Sequence, residues 1–280
     1  CASNGFNAIK FLDIAKSEKI TWYSGVPTMH QTILLRARRN LEIAKGLKLR
    51  LIRSSSASLP PAVFNDLNDV FSCPVIEAYG MTEATHQMTS NPLPPKQQKA
   101  GFVGLPAGPE VCIMNENGEV LKQGDEGEVC IKGENVTLGY DNNEEANKTS
   151  FTNGWFRTGD QGYFDKEGYL KISGRLKEII NKGGEKISPL EVDNVLMDHP
   201  FIDQAVCFGY DDKMLGENIA SAIIIKSGET CSENDVLEYA QEKLAKFKIP
   251  KKIFFVEEIP KGATGKLQRN VLAKKFGLNN

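Results

Sequence analysis

The fold is indicated most directly by one stretch of the sequence, Pro74-Val75-Ile76-Glu77-Ala78-Tyr79-Gly80-Met81-Thr82-Glu83. Residues 74–76 are predicted to form a short buried strand, and polar residues follow it at once. In α/β sheets, ligands bind beyond the carboxyl ends of the strands. Gly80 would let a ligand approach the backbone, Thr82 offers a hydroxyl, and Glu83 offers oxygen to a hard cation such as Mg²⁺. Taken alone, the stretch is more simply explained as a solvated turn before a helix.

Upstream of this stretch, helical and strand patterns alternate. The apolar spacing over residues 9–15 favours a helix, and strands are predicted at residues 20–24 and 47–53. A proline pair opens a further predicted helix over residues 61–70. This alternation predicts an α/β layer over residues 1–100.

Two further zones follow. From Gly101 to Gly174, glycine turns separate short strands, which predicts a small, mostly antiparallel sheet or barrel. Beyond it, helices and strands alternate again, with a predicted capping box that begins at Ser188 and a predicted helix cap at Ser232. Strands are predicted at residues 205–208, 219–225 and 253–256. We therefore predict a multidomain α/β protein in which residues 1–176 form one domain, with its β-rich subdomain at 101–174, and residues 177–280 form a small α+β domain.

The composition is that of a globular protein, with 40% hydrophobic and 25% charged residues among 280. Lys+Arg 34 against Asp+Glu 36 gives a net charge of −2, so no bulk field draws the chain to nucleic acid or to a membrane surface. No apolar run approaches the roughly 20 residues of a membrane helix. The six cysteines are scattered, which predicts neither a zinc site nor a disulfide framework and favours a reducing compartment. The final residues, 277–280, are not a peroxisomal signal of the Ser-Lys-Leu type, so a cytoplasmic location is expected.

Two polar segments carry groups suited to a ribose. Asp160 ends the segment Trp155-Phe156-Arg157-Thr158-Gly159-Asp160, and Arg175 lies in Gly174-Arg175-Leu176-Lys177-Glu178. A carboxylate accepts hydrogen bonds from two vicinal hydroxyls, and a guanidinium can brace the same oxygens. The simpler alternative is a surface ion pair, which contributes little to stability.

Two glycine-containing segments lie in the second predicted domain. Gly183 and Gly184 leave bare backbone beside which an extended ligand can pass, although an ordinary glycine turn is an equally good interpretation. The segment Pro260-Lys261-Gly262-Ala263-Thr264-Gly265-Lys266 is not a phosphate loop, because its glycine spacing is too short and no Ser or Thr follows the lysine. It therefore presents Lys266, a point charge on a flexible stem.

In this order and spacing, the segments resemble the motifs of the adenylate-forming superfamily, which includes acyl-CoA synthetases, peptide-synthetase adenylation domains and luciferases. Four motifs match family motifs: Tyr79-Gly80-Met81-Thr82-Glu83, Gly159-Asp160, Gly174-Arg175-x-Lys177-Glu178 and Pro260-Lys261-x-x-x-Gly265-Lys266. The segment Gly101-Phe102-Val103-Gly104-Leu105-Pro106 also matches, so the resemblance covers essentially the whole chain. The resemblance implies the later part of a large α/β domain, a barrel-like subdomain and a small mobile C-terminal domain. It also implies an AMP-forming reaction of a small carboxylic acid with ATP, Mg²⁺ and coenzyme A.

The resemblance also implies roles for individual residues. Lys266, Thr82 and Glu83 would be catalytic, with Glu83 holding Mg²⁺, while Lys177 would be the hinge, and Gly183 and Gly184 would line the path of the CoA pantetheine arm. The nucleotide would contact a larger set, namely Ser56, Ala57, Ser58, Glu77, Ala78, Tyr79, Gly80, Met81, Thr82, Asp160 and Arg175.

The stretch from Tyr79 to Pro94 is most similar to oxalate–CoA ligases of plants and fungi. Thr85, His86 and Ser56 are polar where ligases of aryl and fatty acids need an apolar wall, so His86 and Ser56 are expected in the acid pocket. An imidazole there would donate a hydrogen bond to a second carboxylate. The alternatives are that His86 only bonds local backbone, and that the acid is coumarate-like or a medium-chain fatty acid.

The Ser/Thr/Gly-rich loop with which the superfamily grips the β- and γ-phosphates does not occur in these 280 residues. We therefore expect the chain to be the C-terminal portion of a synthetase and to form no acyl-adenylate alone. Two other hypotheses remain open: an adenylation domain that loads a carrier protein, against which the lack of a carrier-like segment after Lys266 argues, and a non-catalytic nucleotide-binding fragment.

Overall fold

The structure is a computed structural model that describes residues 5–260 and 268–278. The chain forms two compact units: one runs as far as Thr158 and includes Gly162–Ile172, and the other comprises Gly159–Gln161 and the chain from Ser173 onward. The α/β multidomain class is confirmed. The division at Ser173 lies close to the predicted boundary between residues 176 and 177. The functional limits 1–176 and 177–280 stay a prediction.

The first unit contains a five-stranded sheet. Its first three strands are parallel to one another, and its last three are antiparallel. In spatial order the strands are β1 (Trp22–Gly25), β2 (Leu51–Ser54), β3 (Val75–Met81), β4 (His86–Ser90) and β5 (Leu105–Pro106). The carboxyl ends of β1, β2 and β3 therefore lie at one edge.

Four helices accompany this sheet, and two of them begin at a proline, whose fixed φ suits the first helical turn. They are α1 (Ala8–Ser17), α2 (Pro27–Arg39), α3 (Leu41–Gly46) and α4 (Pro61–Phe71). Their apolar faces close one core with β2, in which Ile33, Ile52, Leu59 and Leu67 are almost completely buried. The predicted α/β layer is confirmed.

A second five-stranded sheet follows, in the order β10–β9–β7–β6 with β8 on β9. Its elements are β6 (Glu110–Met114), β7 (Gly127–Lys132), α5 (Glu144–Ser150), β8 (Phe151–Thr152), β9 (Trp155–Phe164) and β10 (Leu170–Arg175). The pairs β6–β7 and β8–β9 are antiparallel, as predicted for this zone. Ile131 and Leu170 are completely buried in the two apolar clusters of this region.

The second unit is a sheet covered on both faces. Its elements are β11 (Ile180–Lys182), β12 (Glu185–Ile187), α6 (Pro189–Met197), β13 (Ile202–Asp212), β14 (Gly216–Ile225), α7 (Glu233–Lys243), β15 (Lys252–Phe255) and α8 (Leu272–Lys275). Successive side chains of a strand point to opposite faces. Accordingly, Cys207 packs in the cluster that includes Val192 and Val236, and Phe208 packs with Leu272 on the other face.

Two local predictions are wrong. β3 continues through Met81, so most of the segment predicted as a loop is strand. The capping box at Ser188 does not form, because the Ser188 hydroxyl donates to the Ser173 carbonyl instead. Gly174 leaves room for this contact, because a Cβ on residue 174 would lie 2.8 Å from Ser188 Oγ.

The five cysteines in the described part of the chain are free thiols. Burial raises the pKa of Cys73 to about 11 and that of Cys130 to about 12. Burial also raises the pKa of Cys207, which is completely inaccessible. Over the same described residues, no helix combines the length and the apolar character needed to cross a membrane.

The cap at Ser232 forms as predicted, with Asp235 completing the capping box. Replacing Ser232 with alanine leaves an amide of α7 without its acceptor, and we expect a loss of about 1 kcal/mol in the free energy of unfolding of the second unit. Urea denaturation of Ser232→Ala beside Ser227→Ala, an exposed serine outside any helix, measures the effect. Equal stability of the two variants would contradict the assignment.

Candidate functional site

β3 and β4 approach each other so closely at Gly80 that no side chain fits there. A Cβ on residue 80 would lie 1.5 Å from the carbonyl oxygen of His86. The connection is a single 3-10 turn, Thr82–Ala84, followed by Thr85 and His86 with φ of 50° and 90°. Non-glycine residues with positive φ carry strain, which concentrates at functional sites.

This turn presents Thr82 and Glu83 at the edge where β3 ends. Thr82 is exposed, and Glu83 is half-buried and accepts a hydrogen bond of 2.9 Å from the Tyr140 hydroxyl. The Glu83 carbonyl accepts from the Thr137 amide at 2.7 Å, and Asn135 Nδ2 donates to the Ala84 carbonyl at 2.8 Å. The turn is therefore held from the loop before α5, and Tyr140 is a site residue that sequence reasoning missed.

The segment after β2 lies at the same edge, because β2 and β3 are parallel. Ser56, Ala57 and Ser58 are exposed, and Ser56 has a φ of 74°. Just before them, the buried hydroxyls of Ser54 and Ser55 make no hydrogen bond within the described residues. Exposed backbone beside unsatisfied hydroxyls suits a polar ligand.

Glu77 was predicted to contact the nucleotide, but its side chain is only 2% exposed. Its Oε1 accepts from the Leu59 amide at 2.9 Å, and its carbonyl accepts from the Asn91 amide at 2.9 Å. Burial raises the pKa of Glu77 to about 8 from an ordinary value of 4.5. The Glu77 side chain is therefore almost inaccessible to a nucleotide.

Three of the other four β3 residues predicted to contact the nucleotide are more accessible than Glu77. Ala78 is buried, whereas Tyr79, Gly80 and Met81 are half-buried at the end of the strand. Tyr79 and Met81 also pack against the apolar cluster that contains Phe156.

The structure also brings together a pair that the sequence did not suggest. Arg53 Nη2 lies 3.0 Å from His86 Nε2, and Arg53 Nη1 lies 3.4 Å from the hydroxyl of Ser24 at the end of β1. A guanidinium has no acceptor, so the imidazole accepts through Nε2 and is neutral with its proton on Nδ1. Arg53 was counted as part of a buried strand, and only the fold reveals that its charge reaches the edge where His86 lies.

In the second unit, the two residues predicted to hold a ribose form an ion pair. Arg175 Nε is 2.9 Å from Asp160 Oδ1, with the Asp160 side chain 6% exposed and that of Arg175 59% exposed. The two side chains are therefore adjacent, as the ribose hypothesis requires. The pair also satisfies the simpler alternative of a partly exposed ion pair.

The glycine turn of the second unit has no free amides to offer an anion. Gly183 N donates to the Leu215 carbonyl at 2.8 Å, and Gly184 N donates to Asn181 Oδ1 at 3.1 Å. Both glycines are exposed and have positive φ. The turn therefore presents bare, neutral backbone and not a phosphate-binding nest. Lys177 is exposed in a 3-10 turn, Leu176–Glu178, directly after β10.

Glu83 fits a magnesium ion held mainly by phosphate oxygens. No group of three or more His, Cys, Asp or Glu side chains suited to a metal occurs in the described residues. Mg²⁺ commonly binds through one or two carboxylates together with substrate phosphates, so a single presented carboxylate is sufficient. Lys266 lies outside the described residues.

Polar groups at the carboxyl ends of parallel strands, beside a strained turn, define a ligand-binding α/β protein. Residues 3–141 match the AMP-binding enzyme family, and residues 191–266 match the AMP-binding enzyme C-terminal domain. The chain belongs to these adenylate-forming enzymes.

Individual relatives agree with this assignment. The chain is 51% identical over 276 residues to the oxalate–CoA ligase of Arabidopsis thaliana and 49% identical over 275 residues to that of Saccharomyces cerevisiae. These alignments cover 98% of this chain and 54% and 50% of the two relatives. The chain thus spans about half the length of the curated relatives it matches. The crystal structure of ATP-bound MatB from Rhodopseudomonas palustris superposes with a TM-score of 0.89 at 33% identity, covering 97% of this chain and 53% of MatB.

The burial of Glu77 predicts a pH-dependent stability. Its pKa is raised in the folded state, so its contribution is complete below about pH 4.5 and is lost as the pH rises through about 8. Between pH 5 and pH 8.5, we expect the wild type to lose on the order of 2 kcal/mol relative to Glu77→Gln, which cannot ionise. Urea unfolding at both pH values measures this.

The exposed Asp69→Asn variant is the control and should keep the wild-type pH dependence. If Glu77→Gln also kept that dependence, the buried carboxyl would not be its source.

Proposed function

We propose that the protein carrying this chain is an ATP-dependent acid–CoA ligase that forms oxalyl-CoA from oxalate. The observation that carries the choice of acid is the Arg53–His86 pair at the carboxyl edge of the parallel strands. A cation and a neutral imidazole suit an acid that bears a second carboxylate, and they disfavour an alkyl or aryl tail. The oxalate–CoA ligases among the relatives support the same choice.

In the first half-reaction, a carboxylate oxygen of the acid attacks the α-phosphorus of ATP, and pyrophosphate leaves with the electrons of the broken P–O bond. Thr82 would donate to the α-phosphate, Tyr79 would lie along the adenine, and the backbone of residues 56–58 would line it. Asp160 would accept from the ribose hydroxyls while Arg175 holds its carboxylate in place. Lys266 would bridge the substrate carboxylate and the α-phosphate as charge develops there.

Mg²⁺, when bound, would neutralise charge on the phosphates. Glu83 would hold it, and the hydrogen bond from Tyr140 fixes the orientation of that carboxylate. The neutral imidazole of His86 would orient Arg53, whose remaining N–H groups face the distal carboxylate of the acid.

In the second half-reaction, the CoA thiolate attacks the acyl carbon of the adenylate, a thioester bond forms, and AMP leaves. Gly183 and Gly184 would lie beside the pantetheine arm. Because the amides of both glycines are already hydrogen-bonded within the turn, the two residues would contact the arm through their bare backbone and not by donating to it. Rotation of the small C-terminal domain about Lys177 would switch the enzyme from adenylation to thioester formation.

A substrate panel tests the choice of acid. The chain is joined to the upstream half of the Arabidopsis oxalate–CoA ligase, and kcat/KM is measured for oxalate, hexanoate and coumarate. We expect oxalate to be preferred and Arg53→Gln to lower its kcat/KM by about 30-fold, as one charged hydrogen bond implies. His86→Ala should lower it less, because the cation remains.

Arg38→Gln is the matched control, since Arg38 forms an exposed surface ion pair with Asp66. The assignment to oxalate is wrong if hexanoate or coumarate is the better acid, or if Arg53→Gln leaves oxalate turnover intact.

Lys266→Ala should abolish adenylation and spare thioester formation from preformed oxalyl-adenylate. The reason is that the amine is needed only while charge develops on the α-phosphate. Pyrophosphate exchange measures the first step, and release of AMP from the adenylate in the presence of CoA measures the second. An equal loss in both steps would contradict this division of roles.

A further inference from the structure

Arg269 lies where the chain returns to the described part of the second unit. Gln268 N donates to the Pro260 carbonyl at 3.1 Å, so the two residues that flank positions 261–267 are hydrogen-bonded to each other. Arg269 follows at once and is three positions beyond Lys266 in the sequence. Whatever holds Arg269 therefore also holds one end of the chain that carries Lys266.

The Arg269 guanidinium is fixed in the core of this unit. Its side chain is 13% exposed, and its Nη2 lies 2.7 Å from Oδ2 of Asp193, which is 4% exposed. Its Nη1 donates to the Cys207 carbonyl, and Cys207 N donates to Asp193 Oδ1. Removing one partner of a buried ion pair is costly. We therefore expect the Arg269 guanidinium to keep its position against Asp193 and Cys207.

The third contact of Arg269 leads out of the core. Its Nε lies 3.0 Å from Oε2 of Glu178, whose side chain is 38% exposed. Glu178 ends the 3-10 turn Leu176–Glu178 and directly follows Lys177, the proposed hinge. One guanidinium thus joins the first residue beyond the hinge to the base of the segment that carries Lys266.

We propose that the Glu178–Arg269 ion pair is a positioning contact that ties Gln268 and Arg269, just after Lys266 in the sequence, to the first residue beyond the hinge and thereby supports adenylation. The inference rests on the proposed function for the roles of Lys177 and Lys266. The glycine turn proposed for CoA has its own support, in which Glu217 Oε2 accepts from Asn181 N at 2.7 Å and Asn181 Oδ1 accepts from Gly184 N. Because neither bond involves Glu178 or Arg269, loss of the pair should not impair thioester formation.

Glu178→Gln tests this contact without unfolding the unit, because it removes the Glu178–Arg269 ion pair and leaves the buried Asp193–Arg269 pair intact. Glu191→Gln is the matched control: it removes a carboxylate of similar exposure, 45%, that pairs with Lys248 at 2.7 Å in the same unit. Glu178→Asp keeps the charge and is the conservative variant that should restore most of the effect.

The first readout does not depend on activity. In the 280-residue chain, we expect Glu178→Gln to raise the rate of tryptic cleavage after Lys261 and Lys266 about fivefold, since local opening governs cleavage. Glu191→Gln should leave that rate unchanged, and the urea midpoints of the two variants should agree. An unchanged rate in Glu178→Gln, or an equal rise in both variants, overturns the proposal.

The second readout is the pair of half-reactions in the fusion protein. Glu178→Gln should lower kcat for adenylation about tenfold with little change in the KM for ATP, and should leave thioester formation within about twofold, because a misplaced group slows only the step it serves. An equal loss in both steps overturns the inference. A fusion that adenylates no acid would instead refute the proposed function, and the cleavage rates would still decide whether the ion pair positions the segment.

Discussion

The reversal of the chain between β3 and β4 leaves no room for a side chain at residue 80, and the candidate site depends on that constraint. Gly80 lets the His86 carbonyl lie where a Cβ would otherwise be. The strands can then be joined by one short turn, which presents Thr82 and Glu83 at the carboxyl edge of the parallel strands. The same reversal brings the His86 ring to Arg53. The positive φ values at Thr85 and His86 are the strain that accompanies this geometry.

The second unit holds its candidate functional segments differently, through polar side chains that bond to distant backbone. Asn181 and Glu217 form one such support beneath the glycine turn, and Asp193 with Arg269 forms another within the core. Buried polar networks fix one arrangement when all their members are satisfied. The geometry around each of these segments therefore depends on contacts within the second unit itself.

Much of this was accessible from the sequence, because local patterns and tertiary packing agree over most of the chain. The helix cap at Ser232 was predicted correctly because all of its partners are local: the Asp235 amide donates to the Ser232 hydroxyl, and Asp235 completes the capping box. The similar pattern at Ser188 failed because the Ser188 hydroxyl donates to the Ser173 carbonyl, which is distant in sequence. Glu77 was predicted to lie in a polar segment just after the strand. In the structure it lies within β3, where the Leu59 amide, distant in sequence, donates to its buried carboxyl group. Arg53 shows the same limit, since its partner becomes a neighbour only in the folded chain.

The burial of the cysteines has a practical consequence for assays. Reagents that count thiols by disulfide exchange react with the thiolate, which is scarce at neutral pH when the thiol pKa is raised. Burial raises the pKa of all five described cysteines, and Cys130 and Cys207 are also completely inaccessible. In a Cys1→Ser background, a colorimetric dye would therefore titrate free coenzyme A promptly and the folded protein slowly. A late second rise of colour in such a trace would report unfolding of the enzyme and not turnover.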